Sequence, residues 1–285
     1  MASVELARAK INLYLHVAAP DARGWHPLQS LVAFADFGDR VSLTGTPGLS
    51  VGGPFGAGLS DGEDNLILKA ARRFEAMAGV RLRHGFHLDK QLPVASGIGG
   101  GSADAGAALR LLKAAYAPEI DTALLDEIAA GTGADGVMCL HSRGAFAEGY
   151  GERLTPAALP SAPCVLVNPG VACSTPQVFA DYDALGRFEA IAAARGFADV
   201  VGLQGLVAAL NATRNDLEAP AIRLQPVIAD VLAVLRAQPE TLLARMSGSG
   251  ATCFALCADD VAAARLAERL RGLWPEAWAR ACRLG

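Results

Sequence analysis

A glycine-rich stretch holds the residues of this chain with the clearest chemical potential. It runs from Pro93 to Arg110 and reads PVASGIGGGSADAGAALR, with glycines at Gly97, Gly99, Gly100 and Gly101. The stretch follows an apparent strand at Phe86–Leu88, and an Ala/Leu-rich helix is predicted from near Ser102, which would cap it. Glycines can adopt positive φ and bring backbone N–H groups close to a ligand, and a helix N-terminus adds unpaired N–H groups. This combination predicts an anion site suited to a di- or triphosphate.

The loop matches neither common phosphate fingerprint. A Walker loop ends in Gly-Lys-Ser/Thr, but no lysine occurs between Lys90 and Lys113. The pattern GxGxxG can be read from Gly97, but no acidic residue follows at the expected distance. On the residues alone, a flexible turn or a close helix-packing loop therefore stays open beside the phosphate site.

Lys10 is notable because this chain has only four lysines against twenty-one arginines. It opens the apolar run Ile11–Leu15, where its pKa would respond to burial and to a nearby carboxylate. The alternative is a lysine at the end of a strand whose ammonium reaches water.

Asp135 lies in the turn Thr132–Gly136, directly before an apolar segment. A carboxylate held by a glycine-shaped backbone could accept a hydroxyl proton during phosphoryl transfer. Asp is also common in turns for purely local reasons.

Trp25 and His26 follow Gly24 in a loop. An aromatic ring beside an imidazole could stack on and hydrogen-bond a heterocyclic base. An aromatic side chain that covers a hairpin is the alternative. The second glycine cluster, Ser247–Gly250, could be another loop of close backbone approach or an ordinary turn before a strand.

Strands and helices are predicted to alternate along the whole chain, which indicates an α+β or α/β class. The strands are predicted at Ala9–Val17, Leu28–Phe34, Arg40–Thr44, Arg81–Leu88, Val137–Leu140, Cys164–Val167 and Ala251–Cys257. The helices are predicted at Leu66–Ala78, Ser102–Tyr116, Asp121–Ala130, Thr175–Asp183, Val200–Leu210, Pro226–Ala237 and Asp260–Leu270. Residues 45–62 are predicted to form hairpin loops. The charged segment Glu148–Arg153 is the predicted boundary between two domains, residues 1–150 and 151–285.

Composition restricts the function classes. The 285 residues are 52% hydrophobic with a formal net charge of −4, which gives no electrostatic reason to expect nucleic acid or an anionic membrane. Six scattered cysteines without a zinc spacing indicate core residues in a reducing compartment. No signal peptide is visible, and the uncharged run Leu154–Ala180 contains five prolines. We therefore expect a cytoplasmic protein that is a monomer or a weak homodimer.

Five motifs occur in an order that resembles the GHMP small-molecule kinases. They are Ala9–Leu13 (AKINL), Gly24–His26 (GWH), the loop PVASGIGGGSADAG, Gly133–Asp135 (GAD) and Ser247–Gly250 (SGSG). The match is closest to a branch that phosphorylates a cytidine-diphosphate-linked sugar alcohol in isoprenoid-precursor synthesis. It covers about Ala9 to Leu256.

The resemblance implies an α+β fold of two domains, one ribosomal protein S5 domain 2-like and one ferredoxin-like. It also implies ATP and Mg²⁺, with no firm protein ligand for the metal. Asp135 would take the proton from a tertiary hydroxyl, Lys10 would stabilise the alkoxide, and Asn12 would orient the sugar alcohol. Trp25, His26 and Phe179 would hold the cytosine, although Trp25 stands where tyrosine is usual. The ATP phosphates would lie on Pro93, Val94, Ala95, Ser96, Gly97, Ile98, Gly99, Gly100, Gly101, Ser102 and Ala103.

Two alternatives stay open. A GHMP kinase acting on mevalonate or homoserine would share the phosphate loop but has no need of Trp25, His26 and Phe179. A non-catalytic ATP-binding regulator on the same fold would not need both Lys10 and Asp135.

Overall fold

The computed structural model of this chain describes residues 3–191, 197 and 200–285. The backbone divides into two compact units. The first unit combines the N-terminal segment ending at Lys10 with Phe37–Val94 and Gly99–Arg143. The second unit comprises Ile11–Asp36, Ala95–Ile98 and Gly144–Gly285. Segments of the two units alternate along the chain. The division into residues 1–150 and 151–285 stays a prediction.

Two long strands run through both units. Strand β1 spans Val4–Val17 and pairs with β2, which spans Leu28–Thr44. Lys10 and Asn12 both lie on β1, so a single strand supplies a candidate catalytic residue to the first unit and a candidate substrate residue to the second.

The first unit combines a small sheet with four helices. Strand β3 (Leu49–Gly52) runs parallel to β4 (Gly85–Asp89), and β4 runs antiparallel to the end of β2. The helices are α1 (Leu66–Ala78), α2 (Gly100–Tyr116), α3 (Thr122–Ala130) and α4 (Gly136–His141). Helix α2 packs on α1 and α4, and its inner face is buried, including the leucines Leu109, Leu111 and Leu112. Burial of this face fixes the position of the glycine loop that precedes the helix.

The second unit is built on an antiparallel sheet. The sheet order is β10 (Trp278–Leu284), β7 (Ala162–Asn168), β9 (Cys253–Cys257) and β8 (Thr241–Met246). The hairpin of β5 (Ala145–Gly149) and β6 (Arg153–Pro156) pairs with the start of β2. The helices are α5 (Thr175–Leu185), α6 (Gly202–Asn211), α7 (Glu218–Leu224), α8 (Val227–Arg236) and α9 (Asp260–Leu273). Apolar side chains of α8 and α9, including Leu232 and Leu266, join Val165 and Ala255 of the sheet in one core.

Local capping explains where several helices begin. The side chain of Asn65 accepts a hydrogen bond from the backbone N–H of Ile67 at 2.9 Å, and α1 ends at Gly79 in the left-handed region. Asp259 caps α9 in the same way, through the N–H of Ala262 at 2.7 Å. The helices predicted at Leu66–Ala78 and Asp260–Leu270 are both present, as α1 and α9.

Several predicted elements were wrong. The apolar run Val137–Leu140 belongs to helix α4 and not to a strand, since a run of four apolar residues fits either a buried strand or a buried helical turn. Residues 45–62 contain β3 and are not only loops. Strands β5, β6, β8 and β10 were not predicted at all, and the two strands predicted at Leu28–Phe34 and Arg40–Thr44 form the single strand β2. The segment Glu148–Arg153 forms the turn of the β5–β6 hairpin, and its role as a domain boundary stays a prediction. The α+β class is confirmed.

Membrane insertion finds no support in the helices. Among the described residues, every helix is too short or too polar to cross a lipid bilayer.

Gly106 sets the distance between α2 and α4. A Cβ added there would lie 2.6 Å from the carbonyl oxygen of Cys139 in α4, so the helices meet backbone to backbone. We expect Gly106→Ala to lower the free energy of unfolding by about 1–3 kcal/mol, because the helices must separate. Urea unfolding measures this. The control is Gly272→Ala in α9, where a Cβ meets nothing within 4 Å. It should raise stability slightly, as Gly→Ala in an open helix does. Equal effects of both changes would contradict the packing role of Gly106.

Candidate active site

The glycine loop leads into helix α2, whose N-terminus has no side-chain cap. Gly99 is the N-cap residue, at φ 65°, and makes no side-chain cap bond. The first N–H groups of α2, beginning with those of Gly100 and Gly101, therefore have no side-chain acceptor from the cap and can meet an anion. Ser102 was predicted as the cap, but it is the third residue of the helix. The helix begins earlier because glycine adopts the left-handed N-cap conformation without strain.

Gly97 lies against the second glycine cluster. Its φ is 76°, and a Cβ there would lie 2.6 Å from the carbonyl oxygens of both Ser247 and Gly250. The hydroxyl of Ser247 donates to the carbonyl of Gly97 at 3.1 Å, and the N–H of Thr252 donates to the carbonyl of Ser96 at 3.1 Å. The backbone of Ser247–Gly250 therefore packs closely against the backbone of the glycine-rich loop at Gly97.

The side-chain amide of Asn12 has a hydrogen-bond partner for its nitrogen but not for its oxygen. Its backbone N–H donates to the hydroxyl of Ser247 at 3.1 Å, and its Nδ2 donates to the hydroxyl of Ser30 at 2.8 Å. Its Oδ1 is buried and has no hydrogen-bond partner among the residues the structure describes. A buried acceptor of this kind carries a free-energy cost unless a ligand or water donates to it.

Lys10 and Asp135 form an ion pair in the first unit. The distance from Nζ to Oδ2 is 3.0 Å, and 8% of the lysine side chain and 31% of the carboxylate side chain are exposed. Lys10 thus does not place its ammonium in open water. Asp135 is the N-cap residue of α4, but its side chain makes no cap bond. Gly136 allows this tight turn, because a Cβ there would lie 2.0 Å from the carbonyl oxygen of Ala129.

The ion pair lies directly against the start of α2. A Cβ built on Gly99 would be 3.2 Å from Cβ of Lys10, 3.4 Å from its Cε and 3.6 Å from Oδ2 of Asp135. A carboxylate, an ammonium and the uncapped N–H groups of a helix therefore lie next to one another within one compact unit. This arrangement can hold an anion and accept a proton from a neighbouring hydroxyl.

An aromatic group surrounds His26 in the second unit. The ring of His26 lies 5.2 Å from that of Phe179, 5.8 Å from Tyr182 and 6.3 Å from Phe188, measured between centroids. Nδ1 of His26 lies 2.8 Å from the carbonyl of Ala18, and a carbonyl only accepts, so Nδ1 carries a hydrogen. Nε2 lies 3.1 Å from Oδ1 of Asp183. The imidazole is thereby fixed in orientation.

Trp25 presents its ring to solvent. Its side chain is 63% exposed, and it meets Tyr150 edge to face with centroids 6.4 Å apart. An exposed tryptophan held in an ordered turn is suited to stacking on a planar ligand.

Comparison with known proteins assigns the family. Residues 65–143 match the GHMP kinases N terminal domain, and residues 192–276 match the GHMP kinases C terminal domain. The chain is 51% identical to 4-diphosphocytidyl-2-C-methyl-D-erythritol kinase of Caulobacter vibrioides strain NA1000 / CB15N, over 98% of both chains. The chain belongs to the GHMP kinase family.

Two further relatives agree with this result. This GHMP kinase is 45% identical to 4-diphosphocytidyl-2-C-methyl-D-erythritol kinase of Bradyrhizobium diazoefficiens, over 98% of this chain and 97% of the relative. A crystal structure of 4-(cytidine 5'-diphospho)-2C-methyl-D-erythritol kinase matches with a TM-score of 0.81 and 35% identity, covering 99% of each chain. The predicted family and fold are confirmed, and the protein is an ATP-dependent small-molecule kinase.

The structure of this GHMP kinase brings together two of the predicted groups. Lys10 and Asp135 meet beside Gly99, and His26 meets Phe179. Trp25 is the sequence neighbour of His26, and its described ring partner is Tyr150. The roles of these residues stay predictions.

Sequence reasoning missed Asp21, which orders the Trp25 turn. Its Oδ1 accepts from the N–H groups of Arg23 and Trp25 at 2.8 and 3.0 Å, and its Oδ2 accepts from the hydroxyl of Tyr150 at 2.8 Å. The hydrogen bond from the Trp25 backbone, followed by that from Tyr150, holds the pKa of Asp21 below its usual range. An Asp two to four residues before the N–H groups of a turn is the signal in the sequence that could have found it.

Proposed function

We propose that this kinase transfers the γ-phosphoryl group of ATP to the 2-hydroxyl of 4-diphosphocytidyl-2-C-methyl-D-erythritol, a step of non-mevalonate isoprenoid-precursor synthesis. The contact of the Lys10–Asp135 pair with Gly99 supports the proposal, because a carboxylate able to accept a proton lies beside a helix terminus whose uncapped N–H groups suit a phosphate. Relatives with this name match the chain over almost its whole length, which favours this substrate over mevalonate or homoserine.

The chemistry follows from the ion pair. Asp135 accepts the proton of the substrate hydroxyl, and the freed oxygen attacks the γ-phosphorus of ATP. The new O–P bond forms as the bond to the β-phosphate oxygen breaks, and ADP leaves. Lys10 pairs with the carboxylate of Asp135 and neutralises negative charge on the attacking oxygen. Positioning and charge neutralisation supply most of the rate enhancement in such transfers.

The phosphates of ATP are proposed to lie on the loop Pro93–Ala103. The uncapped N–H groups at the start of α2 and the positive end of its dipole suit a triphosphate. Mg²⁺ would supply additional charge neutralisation between the phosphate oxygens. The hydroxyl of Ser102, half-buried in the first turn of α2, fits the oxygen ligands that this ion prefers, and we assign no other protein ligand.

The substrate is proposed to contact four residues of the second unit. Trp25 and Phe179 would stack on the cytosine, and His26 would hydrogen-bond to it. The open Oδ1 of Asn12 would accept from a hydroxyl of the sugar alcohol, which would satisfy this buried atom. A regulator that only binds ATP would have no use for the proton acceptor Asp135.

The setting of the reaction is also proposed. The six cysteines, all described, are free and buried, as expected in a reducing compartment. We propose that the enzyme works in the cytoplasm as a monomer or weak homodimer, without nucleic-acid or membrane partners, in keeping with its net charge of −4.

Trp25→Ala tests the cytidine subsite. Loss of one stacking surface, worth roughly 1–3 kcal/mol, should raise the KM for the cytidylylated substrate about tenfold or more. ATP affinity should stay within about twofold, because the phosphate loop is unchanged. The ring is mostly exposed, so the fold should tolerate the change. Steady-state kinetics with each substrate varied in turn provides the measurement.

The matched control is Trp274→Ala. This tryptophan packs on the core of the second unit. It should lower stability and leave the KM for the cytidylylated substrate within about twofold. If Trp25→Ala weakens ATP and the cytidylylated substrate equally, Trp25 has a structural role and the proposed cytidine subsite is wrong.

A further inference from the structure

A buried ion cluster lies under the glycine loop and has no part in the chemistry described so far. Nζ of Lys90 lies 2.6 Å from Oδ2 of Asp39 and 2.7 Å from Oδ2 of Asp104. Exposure is 3% for Lys90, 0% for Asp39 and 4% for Asp104. All three belong to the first unit. Ions are seldom taken this far from water unless each has a close partner, so the cluster is a specific feature of the fold.

The two carboxylates hold opposite ends of the loop. Oδ1 of Asp39 accepts from the backbone N–H groups of Gln91 and Leu92 at 2.6 and 2.8 Å, immediately before the loop begins at Pro93. Asp104 lies in the second turn of α2, immediately after the loop ends. Lys90 therefore joins the chain that enters the loop to the helix that leaves it.

The ammonium also contacts the first turn of α2. A Cβ built on Gly100 would lie 3.0 Å from Nζ of Lys90 and 3.8 Å from Oδ2 of Asp39. The first helical residue therefore rests on the cluster with no side chain between them. Any displacement of Lys90 would be transmitted to the N–H groups at this terminus, because packed backbone has no free space to absorb it.

Burial and pairing act in opposite directions within the cluster. Burial raises the pKa of Asp104 well above its ordinary value, and the carboxylate of Asp39 adds to the shift while Lys90 opposes it. Burial would lower the pKa of Lys90, but the two carboxylates more than offset this, so its pKa is raised. The attraction between the ammonium and the carboxylates therefore acts against the cost of burying them.

We propose that Lys90 is a positioning residue for ATP, whose ammonium ties together the two ends of the glycine loop and so fixes the N–H groups at the start of α2. The proposal rests on the assignment of the ATP phosphates to this loop. It gives Lys90 no contact with the nucleotide and no role in proton transfer.

The test removes the link and leaves the loop sequence intact. Lys90→Met alone leaves two buried carboxylates unpaired and can unfold the protein. The triple variant Asp39→Asn/Lys90→Met/Asp104→Leu removes all three charges together, a change that often preserves stability, and the amide oxygen at position 39 can still accept the two backbone bonds. We expect its Kd for ATP, measured by calorimetry, to rise about tenfold or more. At saturating ATP, kcat and the KM for the second substrate should stay within about threefold of wild type.

Two controls separate positioning from stability. Asp104→Asn keeps an oxygen for the ammonium and should change the Kd for ATP by less than about threefold. Lys113→Met, at the other end of α2, should change neither ATP affinity nor the urea midpoint appreciably. If the triple variant folds and binds ATP within about twofold of wild type, the inference is overturned.

The proposed binding of the ATP phosphates to the glycine loop needs a separate measurement. The Kd of the Gly99→Val variant for ATP provides it, since valine alters the loop directly. If Gly99→Val loses ATP affinity and the triple variant does not, only the role of Lys90 is wrong. If both bind ATP normally, the nucleotide does not lie on this loop, and the proposed site falls together with the inference.

Discussion

Replacement of Asp135 by asparagine lowers kcat by about 10³-fold, the range typical for removal of a general base. The amide keeps the shape of the carboxylate and can still contact Lys10, but it cannot take the proton of the attacking hydroxyl. ATP and the cytidylylated substrate should bind with affinities within about threefold of wild type. Rapid-quench measurement of the phosphoryl transfer step, together with calorimetry for binding, tests both parts.

Asp126 supplies a matched control for this result. Its Oδ1 lies 2.8 Å from Nε2 of His141, and its side chain is 34% exposed, close to the 31% of Asp135. Asp126→Asn removes a carboxylate from another hydrogen-bonded pair of the same unit and should leave kcat within about twofold. Turnover of Asp135→Asn within a few-fold of wild type would exclude Asp135 as the base.

Gly99→Val should abolish most of the activity through a steric effect. The side chain would begin 3.2 Å from Cβ of Lys10, and its branches would enter the space of the Lys10–Asp135 pair. It would also force a β-branched residue into φ 65° at the start of α2. We expect kcat/KM for ATP to fall by about 10²-fold or more, since misplacement of reacting groups by about 1 Å has effects of this size.

Gly79→Val separates backbone strain from the steric effect. Gly79 ends α1 at the same φ of 65°, and a Cβ there meets nothing within 4 Å. Both changes carry a strain of about 1–3 kcal/mol, which urea unfolding should detect. Only Gly99→Val should lose activity in the folded state. An equal loss of kcat/KM in both variants would show that strain alone, and not the position of Gly99, is responsible.

The sequence predicted which residues of the first unit lie together better than it predicted the helices and strands that carry them. The glycine loop, Lys10 and Asp135 could be selected because their types and local spacing are unusual. The strand predicted at Val137–Leu140 was wrong, because the packing of α4 on Gly106 of α2 decides between strand and helix there. That contact joins residues about thirty positions apart, so no local pattern could report it.

Long-range contacts explain the other failures. The two glycine clusters meet at Gly97 and Ser247, which lie 150 positions apart. Asp39 and Lys90 are each unremarkable in sequence, and only their burial together distinguishes them from surface charges. Asp21 was within reach of sequence reasoning, because its bonds to Arg23 and Trp25 are local.

Phosphorus NMR of the wild-type reaction tests the central claim most directly. The enzyme is given ATP with one acceptor at a time: 4-diphosphocytidyl-2-C-methyl-D-erythritol, the sugar phosphate without cytidine, mevalonate or homoserine. The account predicts that ADP and a new phosphomonoester on the 2-hydroxyl appear efficiently only with the cytidylylated acceptor. Efficient phosphorylation of mevalonate or homoserine, or no transfer to the cytidylylated acceptor, would contradict it.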